Sequence, residues 1–115
     1  MKIKEIISLV EGTLVVGGDV ENEEVTHAFA SDLMSDVLTI KDTDSLMLIT
    51  GLANTQTIRT CEMSDIQIIL FVRGKNITDE MKELAEENGM VLIQTNYTLF
   101  RTSGILYAHG LSPLY

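Results

Sequence analysis

Hydrophobic and polar residues alternate along the chain with two periods, one helical and one extended. Apolar residues in segment 3–10 recur at the i, i+3, i+4, i+7 spacing, which predicts an amphipathic helix that Gly12 ends. Segments 13–16 and 24–30 instead show the alternation and the flanking turn residues of short strands. We therefore predict a hairpin over residues 13–30.

A regular succession of apolar runs and helical segments begins at residue 46. The runs are rich in Ile, Leu and Val, and helices of about ten residues separate them, an order typical of parallel βαβ units covered on both faces. The prediction is an α/β fold: a single three-layer domain (1–115) with a mainly parallel sheet and an N-terminal helix plus hairpin. The predicted strands are 46–50, 66–72 and 91–93, and the predicted helices are 54–63, 79–88 and Asn96 to about His109.

A short helix is predicted between the hairpin and the first of these strands. Ser31 or Asp32 can cap it, and Leu33, Met34, Val37 and Leu38 would share one face. Asp32 and Asp36 stand four residues apart, and paired carboxylates can hold Mg²⁺ when other ligands join them. A capping Asp followed by an exposed Asp is the interpretation that we favour.

Composition and charge narrow the classes of function. Hydrophobic residues make up 45% of the 115 residues and charged residues 22%, as in ordinary globular proteins. The longest apolar runs are about seven residues, against the roughly 20 of a membrane span, and no signal peptide is visible, so we expect a cytoplasmic protein. The net charge of −9 argues against binding to nucleic acid or to anionic membranes. The single cysteine, Cys61, is expected to be a small apolar residue on a helix face.

The sequence lacks the common motifs for nucleotide binding and for hydrolase catalysis. The sequence has no G-x-x-x-x-G-K-[ST] loop, no G-x-G-x-x-G and no G-x-S-x-G elbow. His27 lies in an alternating strand and His109 at a helix end, positions that favour structural roles. We expect no catalytic residue, no metal and no cofactor.

Polar residues follow three of the predicted strands. In parallel sheets, ligands bind outside the carboxyl ends of the strands, where a following helix also presents free N–H groups. The alternative is that the Asn and Thr residues are ordinary caps and turn formers. The candidate ligand-binding residues are Gly51, Asn54, Thr55, Thr57, Arg59, Arg73 and Thr95, and the expected ligand is small, polar and anionic.

Three stretches, taken together, resemble the DRTGG domain family. They are "AFASDLMSDVL" (28–38), "LMLITGLANTQTIRTCEMSDIQIILFVRGK" (46–75) and "GMVLIQTNYTLFRTSGILYAHGL" (89–111). The first is similar to a helix start of Ser/Gly-Asp-Leu-Leu/Met-Ser type in free-standing members, and we add its Ser31 and Asp32 to the candidate ligand-binding residues. The resemblance implies a fold like the amino-terminal domain of HPr kinase/phosphorylase, without the kinase domain.

The resemblance also implies an accessory dimerising or sensing role. The leading hypothesis is a non-catalytic regulatory or small-ligand-binding module, for a nucleotide or a phosphate-bearing metabolite, that acts as a homodimer or with a partner enzyme. One alternative is a small metal-dependent phosphoester or phosphoryl-transfer enzyme that uses Asp32 and Asp36. Another is a purely structural interaction domain. The expected homodimer has a second basis, because the chain carries many Met residues and an uncharged "GLSPLY" tail (110–115) that should be packed.

Overall fold

A computed structural model describes all 115 residues, which form five helices and six strands joined by loops. The order of elements matches the predicted succession from residue 46 onward. The helices are α1 (Ile3–Leu9), α2 (Met34–Val37), α3 (Thr55–Met63), α4 (Asp79–Glu87) and α5 (Leu99–Ala108). The strands are β1 (Thr13–Val16), β2 (His27–Ala30), β3 (Leu46–Thr50), β4 (Ile68–Phe71), β5 (Val91–Gln94) and β6 (Ser112–Pro113).

One six-stranded sheet joins all the strands in the order β1-β5-β4-β3-β2-β6. Neighbours pair in parallel throughout, except that β1 runs antiparallel to β5 at one edge. Every residue of β3 and β4 is buried, because helices cover both faces of the sheet. The predicted three-layer α/β fold with a mainly parallel sheet is confirmed.

Two apolar clusters lie on opposite faces of the sheet. Alternate residues of one strand point to opposite faces, so Leu48 packs with the α2, α3 and α4 side chains while Met47 packs with α1 and α5. None of the five helices has both the length and the hydropathy needed to cross a membrane.

The predicted hairpin over residues 13–30 is wrong. β1 pairs with β5 at one edge of the sheet, while β2 lies between β3 and β6 near the other edge. The connecting segment 20–25 does not turn back, because its backbone bonds to the start of the chain: Lys4 N–H donates to Glu21 O at 3.0 Å and Val25 N–H to Met1 O at 2.8 Å. Gly17 and Gly18 do form a turn, but tertiary contacts decide where it leads.

Two helix boundaries also differ from the prediction. The last helix begins at Leu99 with Thr98 as its N-cap, whose side chain accepts from Arg101 N–H, rather than at Asn96. The helix after β2 is only one turn long, and Leu33 and Leu38 are exposed instead of sharing a buried face. Its start is displaced because Asp32 bonds to the Thr50 hydroxyl and to Gly51 N–H.

The buried Cys61 thiol gives a test of this packing. Cys61 is fully buried in α3, and burial raises its pKa from 9.0 to about 12, so at pH 8 only about one thiol in ten thousand is ionised. We expect a thiol reagent at pH 8 to label the native chain only as fast as it unfolds, and at once in urea. Raising the pH from 9 towards 12 should also lower the free energy of unfolding, because the unfolded state loses this proton first. Rapid stoichiometric labelling without urea would contradict the structure.

Candidate functional site

The carboxyl ends of β2, β3, β4 and β5 lie at one edge of the sheet because these strands are parallel. The loops that follow them, which we call the mouth, are residues 31–33, 51–54, 72–78 and 95–98. The amino end of the nine-residue helix α3 lies at the same edge. Sequence reasoning placed all its candidates except Arg59 in or beside these loops, and the topology brings the loops together.

Asp32 joins the ends of β2 and β3. Its Oδ1 atom accepts from the Thr50 hydroxyl at 3.0 Å and from Gly51 N–H at 2.6 Å. The Thr50 hydroxyl in turn accepts from Leu52 N–H at 3.1 Å. Neither predicted cap is used, because the N-cap of α2 is Leu33, which makes no side-chain capping bond. The Ser31 hydroxyl accepts from Leu33 N–H at 3.0 Å within the preceding loop. The side chain of Asp32 remains 45% exposed, and its second oxygen faces Arg73.

Arg73 is one of two cations in the mouth, the other being Lys75. Its backbone is in the left-handed region (φ 64°), and its N–H donates to Tyr97 O at 2.8 Å, which fixes the loop after β4 to the loop after β5. The guanidinium lies 3.8 Å from Asp32 Oδ2 and is about half exposed. A Cβ on Gly51 would come within 2.6 Å of the guanidinium Nη2, so the glycine makes room for this side chain. Asp32, Gly51 and Arg73 are thus brought into one group.

The uncharged residues after β3 mainly bond to one another. Asn54 is the N-cap of α3, and its side-chain oxygen accepts from Thr57 N–H at 2.9 Å and from the Thr57 hydroxyl at 3.0 Å. The same hydroxyl lies 2.7 Å from Leu52 O and can donate to it instead. Thr57 is buried, so its hydroxyl holds the loop shape. Thr55 is half-buried at the first position of the helix, and Arg59 is exposed about one turn further on without an ion pair.

Thr95 holds the loop after β5 against the end of α1. Its buried hydroxyl donates to Val10 O at 2.7 Å and accepts from Tyr97 N–H at 3.1 Å. The hydroxyl is therefore occupied within the chain. Contact between the nine candidate residues and a ligand stays a prediction.

Sequence reasoning missed Thr50 and the Tyr97 cluster. Thr50 is the one hydroxyl residue in an otherwise aliphatic strand, which was the available signal. The Tyr97 hydroxyl donates to Glu11 at 2.5 Å, and this hydrogen bond raises the pKa of the partly buried tyrosine. The Arg101 guanidinium stacks 3.7 Å from the centre of the same ring. The Tyr97–Glu11 pair is 86 residues apart in sequence, so no local pattern announces it.

The largest hollows of the molecule lie away from the mouth. One of about 800 Å³ opens at the amino ends of β4 and β5 and is bordered by Glu23, Glu24 and Glu86. Two smaller ones lie at the start of β3, with about 420 Å³, and beside α5, with about 180 Å³. None of the three contains a candidate residue. The three carboxylates make the largest hollow unsuitable for an anion, so the mouth with Arg73 fits the expected ligand better. No group of three or more His, Cys, Asp or Glu side chains is placed to hold a metal ion.

Comparison with known proteins bears on the fold. No protein-family model and no curated protein matches the chain. The crystal structure of the CBS and DRTGG domains of the regulatory region of Clostridium perfringens pyrophosphatase, complexed with its activator diadenosine tetraphosphate, is similar with a TM-score of 0.72. The sequence identity is 13%, and the match covers 91% of this chain and 45% of that one. The chain therefore has a DRTGG-like fold, as the resemblance implied, and it spans less than half of the structure that it matches.

The role of Asp32 can be tested by its removal. Asp32→Ala leaves Gly51 N–H and the Thr50 hydroxyl without their acceptor, so we expect the free energy of unfolding to fall by about 1–2 kcal/mol. Asp32→Asn retains an oxygen acceptor and should lose less. The control is Asp36→Ala, which removes an exposed carboxylate without a side-chain hydrogen bond and should change stability by less than about 0.5 kcal/mol. Equal losses for the two alanine variants in urea titrations would show that Asp32 does not hold the strand ends.

Proposed function

We propose that this protein is a regulatory module that binds a small phosphate-bearing ligand, a nucleotide in the first place, at the mouth. The module would act in the cytoplasm, either as a homodimer or together with a partner enzyme. The bound ligand would then regulate that assembly. The loops of the mouth hold no Ser, Thr or Cys that is hydrogen-bonded to a His base, so they support binding better than catalysis.

The Asp32–Arg73 pair is the observation that carries the proposal. At 3.8 Å the pair is loose, and a half-exposed guanidinium with five N–H donors retains free ones for an anion. The carboxylate offers acceptors for hydroxyl groups beside it. A ligand with both a phosphate and free hydroxyls, as in a nucleotide, matches this arrangement of donor and acceptor.

The electrostatics of the mouth favour the same class of ligand. The chain carries 17 acidic and 8 basic residues, yet Arg73 and Lys75 both stand in the loop after β4. The amino end of α3 adds backbone N–H groups and partial positive charge at the same edge. Together these groups give an anion a local attraction within a protein whose net charge is −9.

The structural neighbour supports the choice of nucleotides as first probes. It is the regulatory region of a pyrophosphatase, and its activator is diadenosine tetraphosphate. A shared fold at 13% identity does not show that two proteins bind the same ligand. The match therefore only guides the choice of probes, and the proposal itself rests on the residues of the mouth.

Thermal unfolding with added ligand tests the proposal. We expect diadenosine tetraphosphate or ATP to raise the Tm, since a ligand at a hundredfold excess over Kd adds about 2.7 kcal/mol to the stability of the folded state. Arg73→Gly should abolish the rise and leave the fold intact, because glycine adopts the left-handed backbone at this position without strain.

Lys41→Ala is the matched control, since it removes the same charge before β3, at the opposite end of the strands. It should keep the full shift. Inorganic phosphate alone separates recognition of the phosphate from recognition of the whole nucleotide. No shift with any of the three probes, or a full shift in Arg73→Gly, would refute the proposed site.

A further inference from the structure

The two helical layers cover the sheet unequally. Three helices contribute to the cluster on one face, but only α1 and α5 contribute to the other. On that second face β2 presents small side chains, and the hollow of about 180 Å³ lies between Ala28, Ala30, Tyr107 and Pro113. Ser103 also lines it, and its buried hydroxyl oxygen makes no hydrogen bond within the chain. This side of the sheet therefore has space beside α5 that the chain itself does not fill.

The outer side of α5 carries two exposed aromatic rings with a glycine between them. Phe100, Gly104 and Tyr107 fall at the i, i+4, i+7 spacing and so share one side of the helix. Phe100 is 88% exposed and Tyr107 69% exposed, whereas a Cβ on Gly104 would meet no atom within 4 Å. We call these three residues, with the adjacent hollow, the α5 face.

Charge marks the α5 face as different from the rest of the surface. All 17 acidic residues precede residue 88, so α5, β6 and the segment between them carry none. The strand across the hollow, β2, has none either, and Arg101 is the one charged residue within α5. Two copies with a net charge of −9 each repel one another over most of their surfaces. Two copies that met at the α5 face would not place the carboxylates of α5, β6 or β2 against each other, since these elements have none.

We propose that a second copy of this chain docks on the α5 face, with α5 packed against its counterpart about a two-fold axis. A two-fold contact must be self-complementary. The α5 face carries the exposed rings of Phe100 and Tyr107, and it also has the hollow and the open space at Gly104 into which such rings can pack. Small residues such as Gly104 allow two helices to approach closely. The inference rests on the homodimer of the proposed function and not on its ligand.

The molar mass in solution gives the first test. Light scattering at tens of micromolar should give twice the chain mass of 12.7 kDa. Gly104→Glu should give the single-chain mass, or at least an approximately tenfold higher dissociation constant, because it sets two carboxylates against each other at the axis. The variant should fold, since the new side chain meets no atom of its own chain and glutamate is a better helix former than glycine. Met63→Glu is the control: it also charges an apolar helix surface, 67% exposed, but in the opposite layer, and should remain dimeric.

A second readout fixes the location of the contact. Gly104→Cys should form a disulfide-linked dimer under mild oxidation, because the two copies of residue 104 lie near the axis. Met63→Cys should not, and the native Cys61 is buried and does not compete. A monomeric wild-type chain, a Gly104→Glu variant that stays dimeric, or cross-linking through residue 63 instead of 104 would each overturn the inference.

These tests are independent of the ligand. A nucleotide-induced rise in Tm without a dimer would overturn the α5 contact and leave the proposed site standing. A dimer split by Gly104→Glu, with no shift from any nucleotide, would do the reverse.

Discussion

Burial of the two central strands on both faces is the constraint on which the rest of the structure depends. β3 and β4 have no exposed residue, so their connections must cross over the sheet and cover it with helices. These crossovers make the strands parallel and carry all their carboxyl ends to one edge. The position of the mouth is therefore a consequence of how the core is buried.

At that edge the chain satisfies most of its own polar groups. Asn54 and Thr57 close the start of α3, and the Thr95 hydroxyl ties the loop after β5 to α1. The abundance of uncharged hydrogen-bonding residues after β3 thus mainly serves to shape a loop. The Asp32–Arg73 pair remains accessible, and its distance and exposure leave its charges available to a ligand.

One short loop connects the mouth with the α5 face. Tyr97 accepts the Arg73 N–H through its carbonyl and lies two residues before the start of α5. The stacked Arg101 guanidinium extends the same connection into the first turn of the helix. A ligand that moved Arg73 would act directly on the segment from which α5 starts. Under the proposed function, this loop would connect ligand binding at the mouth with assembly at the α5 face.

The sequence alone determined the elements that depend on local chemistry. The strand at 46–50 and the helices predicted over 54–63 and 79–88 follow from periodicity, side-chain capping and left-handed glycine, all of which act within a few residues. The fold class followed from their order. Tertiary structure alone decided which strands pair, since Thr13 meets Gln94 rather than β2, and it decided that Asp32 bonds to Gly51 instead of capping a helix. These contacts join residues far apart in sequence, and what selects them is the burial of the whole sheet, which no local pattern encodes.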